Sequence, residues 1–307
     1  MDIFLQQLIN GLTLGSVYAV VALGYTMVYG IIQLINFAHG ELVMIGAMVA
    51  FTLIGVLVPA GLNPLVIVLL ATACAIPVCM LIGYAMERLA YRPLRRAPRL
   101  APLITAIGVS IILQHLALLV WSRNNLAFPQ IIKTESYHIG GATITNVQIA
   151  IMAISVVMTA GLALLVYRTR LGTAMRATAQ NAQVAGLMGI DINRMIAVTF
   201  VLGAALAAVA GVMVGSYYGI AHYQMGALLG MKAFAAAVLG GIGNLPGAML
   251  GGLMLGVVEA LGAGYIGDLT GNVFGSNYQD VFAFLVLITV LVFRPSGLLG
   301  ERVGDRA

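Results

Sequence analysis

Apolar runs long enough for a helix to cross roughly 30 Å of hydrocarbon recur along the whole chain. They lie at residues 5–27, 41–58, 64–86, 102–121, 146–167, 195–217, 247–266 and 279–294. Two further pieces are apolar but interrupted. Residues 28–40 run into Asn36 and His39, with Glu41 just beyond, and residues 227–243 contain Lys232 and end in Gly240-Gly241-Ile242-Gly243. The pattern predicts an all-α, polytopic integral membrane protein with about 8–9 transmembrane segments. Discontinuous helices are expected near 28–40 and 227–243, within a single transmembrane domain spanning 1–307.

Composition removes the competing class. Hydrophobic residues make up 61% of the chain and charged residues 8%, against about 25% charged in soluble domains. The net charge of +5 is not spread as a nucleic-acid-binding surface. Arg88, Arg92, Arg95, Arg96 and Arg99 crowd one loop, Arg168, Arg170, Arg176 and Arg194 another, and Arg294, Arg302 and Arg306 the tail. Those segments hold 12 of the 15 Lys and Arg residues. By the positive-inside rule they face the cytoplasm, and loop 122–145, with only Arg123 and Lys133, faces outward as a periplasmic loop.

Parity then requires 227–243 to cross the membrane, because three strong spans cannot connect two cytoplasmic segments. No Lys or Arg precedes Arg88, so a cleavable signal with a basic start is not expected and the first run is read as a retained span. The N-terminus lies outside if 5–38 crosses once, and inside if 28–40 crosses separately. Cys74 and Cys79 share one apolar run and are expected to be inert core thiols.

Polar residues inside such a chain mark function or helix contacts. Asn36, His39 and Glu41 form the densest cluster. Counting from the arginine loop places His39 and Glu41 near the cytoplasmic end of their segments, lining or gating the inner mouth of a pathway. Lys232 and Glu259 lie about 8 and 10 Å inside the outer ends of their segments at 1.5 Å per residue. That similar depth predicts an ion pair pinning the broken segment to the next span; the alternative is that each snorkels separately. Unwinding is expected at Gly40 and at Gly240-Gly241, with Asn36 and Asn244 near the two breaks, and these residues together with His39, Glu41, Lys232 and Glu259 are the candidates for the translocation path or its gate. Small residues at four-residue spacing, Gly203/Ala207/Gly211/Gly215 and Gly252/Gly256/Ala260/Gly264, predict grooves for neighbouring helices.

Segment 168–194 has an alanine-rich middle with good helix propensity, and Gly189 is expected to stop that helix. Its apolar side suits either docking on a partner or lying on the membrane surface. Catalytic patterns are absent: Gly240 to Gly247 lacks the Lys-Ser/Thr of a phosphate loop, and the four histidines have no metal-ligand spacing.

Several motifs carry a family resemblance. Asn10-Gly11-Leu12-Thr13-Leu14-Gly15-Ser16, Gly24-Tyr25-Thr26-Met27, Ile35-Asn36-Phe37-Ala38-His39-Gly40-Glu41, Glu87-Arg88-Leu89-Ala90-Tyr91-Arg92-Pro93 and Met231-Lys232-Ala233-Phe234 resemble LivH-type permeases of bacterial branched-chain amino-acid ABC importers. The resemblance implies an inner-membrane permease subunit, not an enzyme, translocating leucine, isoleucine and valine. It implies a homologous second permease subunit, two cytosolic ATPases that hold ATP and Mg²⁺, and a periplasmic substrate-binding protein. No cofactor or metal is then expected in this chain. It also implies that 172–190 is the coupling helix, with Arg176, Ala179, Asn181, Ala185, Leu187 and Gly189 at the ATPase. The segment lacks the Glu-Ala-Ala of many importers. Urea or short-amide permeases of the same architecture, and a stand-alone proton-coupled carrier using His39, Glu41 and Glu259, are the alternatives.

Overall fold

The computed structural model describes residues 2–95, 97–98, 100–269 and 278–300. Arg96, Arg99, Arg302 and Arg306, counted above for orientation, and residues 270–277 lie outside the described part. The helices are α1 (Asp2–Ile32), α2 (His39–Leu57), α3 (Pro64–Ala85), α4 (Leu100–Val120), α5 (Asn146–Arg168), α6 (Arg170–Gln180), α7 (Ala182–Leu187), α8 (Ile192–Tyr218), α9 (Met225–Gly240), α10 (Leu245–Leu269) and α11 (Gln279–Phe293). Among the described residues, seven helices are long and apolar enough to cross a membrane, and α9 and α11 are shorter apolar helices. Every expected span is therefore a helix. The chain divides into two compact units, one of Met1–Thr26, Thr134–Thr159 and Lys232–Ala307, the other of Met27–Lys133 and Ala160–Met231.

The first unit is organised by a glycine seam. A Cβ added to Gly256 would lie 2.2 Å from Gly15 N, and one on Gly252 would lie 2.5 Å from the Ala19 backbone. Gly11 meets Val257 and Ala260 in the same way. The groove predicted on α10 is thus filled by α1, running antiparallel to it. Close backbone approach replaces the hydrophobic drive that lipid cannot supply. A hairpin of β2 (Ser136–Ile139) and β3 (Ala142–Thr145) turns through Gly140 and Gly141, at φ 57° and 89°. Two positive-φ residues in a two-residue loop match the twist of a tight hairpin. Gln6 grips Thr143 by two bonds, donating to its carbonyl at 3.0 Å and accepting from its amide at 2.8 Å.

In the second unit α2, α3 and α8 form the core. Gly211 of α8 faces the backbone of Val43 and Ala47, Gly46 faces Ala208, and Gly83 faces Ala204. Past Ala85, α3 widens into a π-helical turn, Met86–Tyr91. Strands β1 (Leu126–Ala127) and β4 (Ile220–Ala221) pair antiparallel. Cys79 is buried and donates to the Leu42 carbonyl at 3.5 Å. Cys74 is exposed, so only one of the two thiols is a core residue.

One open alternative is decided and two expectations are corrected. α1 is a single helix to Ile32, so 28–40 does not cross separately, and under the arginine orientation the N-terminal end is outside. The first break is not at Gly40: it occupies 33–38, entered through Gln33 at φ 52°, and Gly40 lies in the first turn of α2. Segment 168–194 is two helices rather than one. Asn181, with extended backbone, ends α6 and accepts from the amides of Gln183 and Val184 to start α7.

The seam predicts that Gly256→Val lowers thermal stability of the purified protein in detergent by the cost of overpacking, about 1–3 kcal/mol or more. Gly161→Ala, where nothing lies within 4 Å of the added carbon, should not lower the melting temperature in the same measurement, since alanine favours the helix interior.

Candidate functional site

Two polar clusters occupy the two units. In the second unit, the chain leaves α1 and re-enters helix at His39 through a turn built by Asn36. The Asn36 Oδ1 accepts from the Ala38 amide at 3.1 Å and from the Tyr91 hydroxyl at 2.7 Å, and the Asn36 carbonyl accepts from the His39 amide. Tyr91 stacks at a tilt on Phe200, 5.1 Å between centroids. The break is thereby fixed to the inner end of α3. Asn36, His39 and Glu41 are all buried.

Glu41 lies one helical step away but in a different environment. Its Oε1 accepts from Ser110 Oγ at 2.9 Å and Gln114 Nε2 at 2.7 Å, both on α4. Ser110 stands ten residues from each end of α4, about 15 Å from either at 1.5 Å per residue. The carboxylate therefore packs beside the middle of α4. Glu41 lies in the first turn of α2, the end of its segment that the arginine count turns toward the cytoplasm. Gly40 contributes its missing side chain: a Cβ there would lie 2.2 Å from the Gly226 carbonyl, so the first turns of α2 and α9 meet backbone to backbone. Ser110, Gln114, Tyr91 and Gly226 were not picked out from the sequence. Ser110 and Gln114, four apart on an apolar helix, share one face, which is the signal that marks them.

In the first unit the Lys232 ammonium is buried and paired twice, with Glu259 Oε1 at 2.7 Å and with Asp280 Oδ1 at 2.6 Å. Tyr18 Oη donates to the other Glu259 oxygen at 2.9 Å, and the Lys232 Nζ lies 5.9 Å from the Tyr18 ring centre, within cation–π range. The expected Lys232–Glu259 pair is present, with Asp280 as a second carboxylate. Asp280 sits in the first turn of α11 and was not picked out from the sequence.

α9 ends at Gly240, as expected, and Gly241 and Gly243 take φ of 105° and 97°, conformations that glycine adopts without strain. The freed carbonyls are not left bare. Leu298 N donates to the Leu239 carbonyl and Leu299 N to that of Gly240, while Asn244 Nδ2 donates to the Leu299 carbonyl. Asn244 Oδ1 accepts from the Gly247 amide and starts α10. Asn36 and Asn244 thus perform the same task, each ordering the backbone ahead of a helix.

At the arginine loop, buried Glu87 forms an ion pair with Arg95, which also donates to Asn193 Oδ1 at 2.6 Å. Burial lowers the Arg95 guanidinium from its ordinary value, partly offset by Glu87, and a guanidinium stays charged at neutral pH. In the predicted coupling segment, Arg176 lies over the Tyr167 ring at 5.6 Å. Ala185 is buried, Ala179 half-buried, and Asn181 and Gly189 exposed. Gly189 at φ 86° ends the segment, with the Ile190 amide bonded back to Ala185. Leu187 and Met188 are 87% and 79% exposed. Among the described residues no group of three His, Cys, Asp or Glu side chains is arranged to hold a metal ion.

The capped break predicts that Leu298→Pro, which deletes one capping amide, destabilises the protein by the cost of an unsatisfied buried carbonyl, about 1–3 kcal/mol. Thermal unfolding in detergent measures it.

Residues 7–291 match the family described as the branched-chain amino acid transport system / permease component. The chain is 50% identical over 303 residues to the high-affinity branched-chain amino acid transport system permease protein BraD of Pseudomonas aeruginosa, covering 97% of this chain and 96% of that one. It is 45% identical over 304 residues to the LivH permease protein of Escherichia coli K12, with the same coverage. It is 26% identical to a probable LivH of Methanocaldococcus jannaschii, over 93% of this chain and 89% of that one. No solved structure matches. On the strength of that near full-length likeness and of its seven long apolar helices, this multi-pass inner-membrane chain belongs to the permease-component family of branched-chain amino acid transport systems.

Proposed function

We propose that the chain is the membrane permease through which an ATP-driven importer moves leucine, isoleucine and valine into the bacterial cytoplasm. The observation that carries this is 50% identity, across 97% of the chain, to a protein named for that transport. The partners in this reading are a homologous second permease subunit, two cytosolic ATPases that bind ATP and Mg²⁺, and a periplasmic binding protein. The chain forms one permease domain with a periplasmic loop at 122–145, and it transports rather than catalyses.

The residues divide into three tasks. Asn36, His39, Gly40 and Glu41 form the part that lines or gates the pathway, because a polar cluster at a helix break supplies groups that a passing polar solute needs. Lys232, Glu259, Gly240, Gly241 and Asn244 hold the second break. The α6–α7 segment couples to an ATPase. Arg176, Ala179, Asn181 and Ala185 shape it, Gly189 ends it, and Leu187 offers an apolar knob beside Val184 and Met188. Three apolar side chains on one short, twice-capped element favour a protein groove as the receptor.

Reconstitution of the assembled complex tests the function. Leucine uptake should require ATP and the binding protein and survive collapse of the proton gradient; uptake by this chain alone would contradict the reading. Leu187→Asp should reduce both ATPase association and uptake by about tenfold, the effect of losing a buried apolar anchor at an interface. Unchanged association would remove α7 from the contact.

A further inference from the structure

Lys232 and Glu41 are treated oppositely by this fold. Lys232 has two carboxylates within ion-pair distance. Glu41 is 0% exposed and, among the described residues, has no cation within ion-pair distance. Both of its hydrogen bonds, from Ser110 and Gln114, fall on Oε1. Among the described residues, its Oε2 is buried with no hydrogen-bond partner. Burial of a carboxyl group half-satisfied is costly and needs a reason.

The surroundings give one. Oε2 faces Gly226, where an added Cβ would stand 2.6 Å away, so only glycine at that position fits beside the oxygen. The first turns of α2 and α9 meet here, each preceded by non-helical chain at 33–38 and 219–224. Helix N-termini present the positive end of the helix dipole, which favours a carboxylate. A carboxyl oxygen without a partner favours a cation. Both occur where the first turns of α2 and α9 meet, beside the middle of α4. An α-amino acid carries one group of each kind, held two bonds apart on its α-carbon.

We propose that Glu41 is the residue that recognises the α-ammonium group of the transported amino acid, with Ser110 and Gln114 aiming its carboxylate. The ammonium supplies the cation that none of the described residues provides. Neutral amides and ureas offer no such charge, so Glu41 selects amino acids at the membrane step, beyond whatever selection a binding protein makes. The inference rests on the transport reading above and adds its site.

The test uses the reconstituted complex of wild type, Glu41→Gln and Glu41→Asp, with L-leucine as probe. Three quantities are read: leucine uptake, ATPase activity stimulated by leucine-loaded binding protein, and assembly by size exclusion. Failure of the wild type to take up leucine overturns the transport reading itself. With wild-type uptake present, Glu41→Gln should lower uptake about tenfold or more, the scale of one lost charged hydrogen bond, while stimulated ATPase and assembly hold. Glu41→Asp, which keeps the charge but withdraws it by one methylene, should transport at an intermediate rate with full ATPase. Unchanged uptake in Glu41→Gln overturns the proposal. So does parallel loss of uptake and ATPase, which marks a structural role. If Glu41→Gln does not assemble, Glu41→Asp decides alone: reduced uptake with intact ATPase supports recognition, and any other pattern overturns it.

Discussion

A lysine ammonium inside a membrane-spanning fold must be neutralised by the protein, and much of the first unit is arranged around that requirement. Lys232 finds Glu259 on α10 and Asp280 on α11, and Tyr18 on α1 fixes the free oxygen of Glu259. Four helices therefore converge on one charge. The convergence needs α1 and α10 at contact distance, which the glycine seam provides: Gly15 against Gly256, and Ala19 against Gly252. Replacement by apolar side chains of equal volume could be as stable as the ion group. What the ions add is a defined register for α9, a short helix whose inner end is unwound.

The second unit solves the opposite problem. Its break at 33–38 is tied down by Asn36 and Tyr91, but the carboxylate above it is left with one oxygen unengaged. One unit closes its charge internally, and the other keeps a charge for something that arrives. A permease needs both: a fixed frame and a polar position that a solute completes. The family likeness supplies the class of solute, and the geometry supplies the place.

The spans were legible because a 20-residue apolar run has few other uses. The Lys232–Glu259 pair was legible because counting residues at 1.5 Å each gave the two charges similar depth. The position of the first break was not legible: residues 33–38 are the non-helical ones, and Gly40 was taken for the break when its role is to admit the Gly226 backbone. Asp280 was hidden by position, since an acid at a helix start is ordinary. Asn181, a single capping residue, split the coupling segment that composition presented as one helix. The β2–β3 hairpin was missed because four-residue strands carry too little pattern to separate from a polar loop.

The most direct test of the central claim is a double-mutant cycle on Lys232 and Glu259, read as unfolding free energy in detergent. Lys232→Met strands two carboxylates and should cost about 3–5 kcal/mol, the scale for breaking a buried pair. Adding Glu259→Gln should recover at least about 1 kcal/mol of that loss, a coupling typical of groups in direct contact. Strict additivity of the two substitutions would show that the ammonium is not held by Glu259 and would contradict the account.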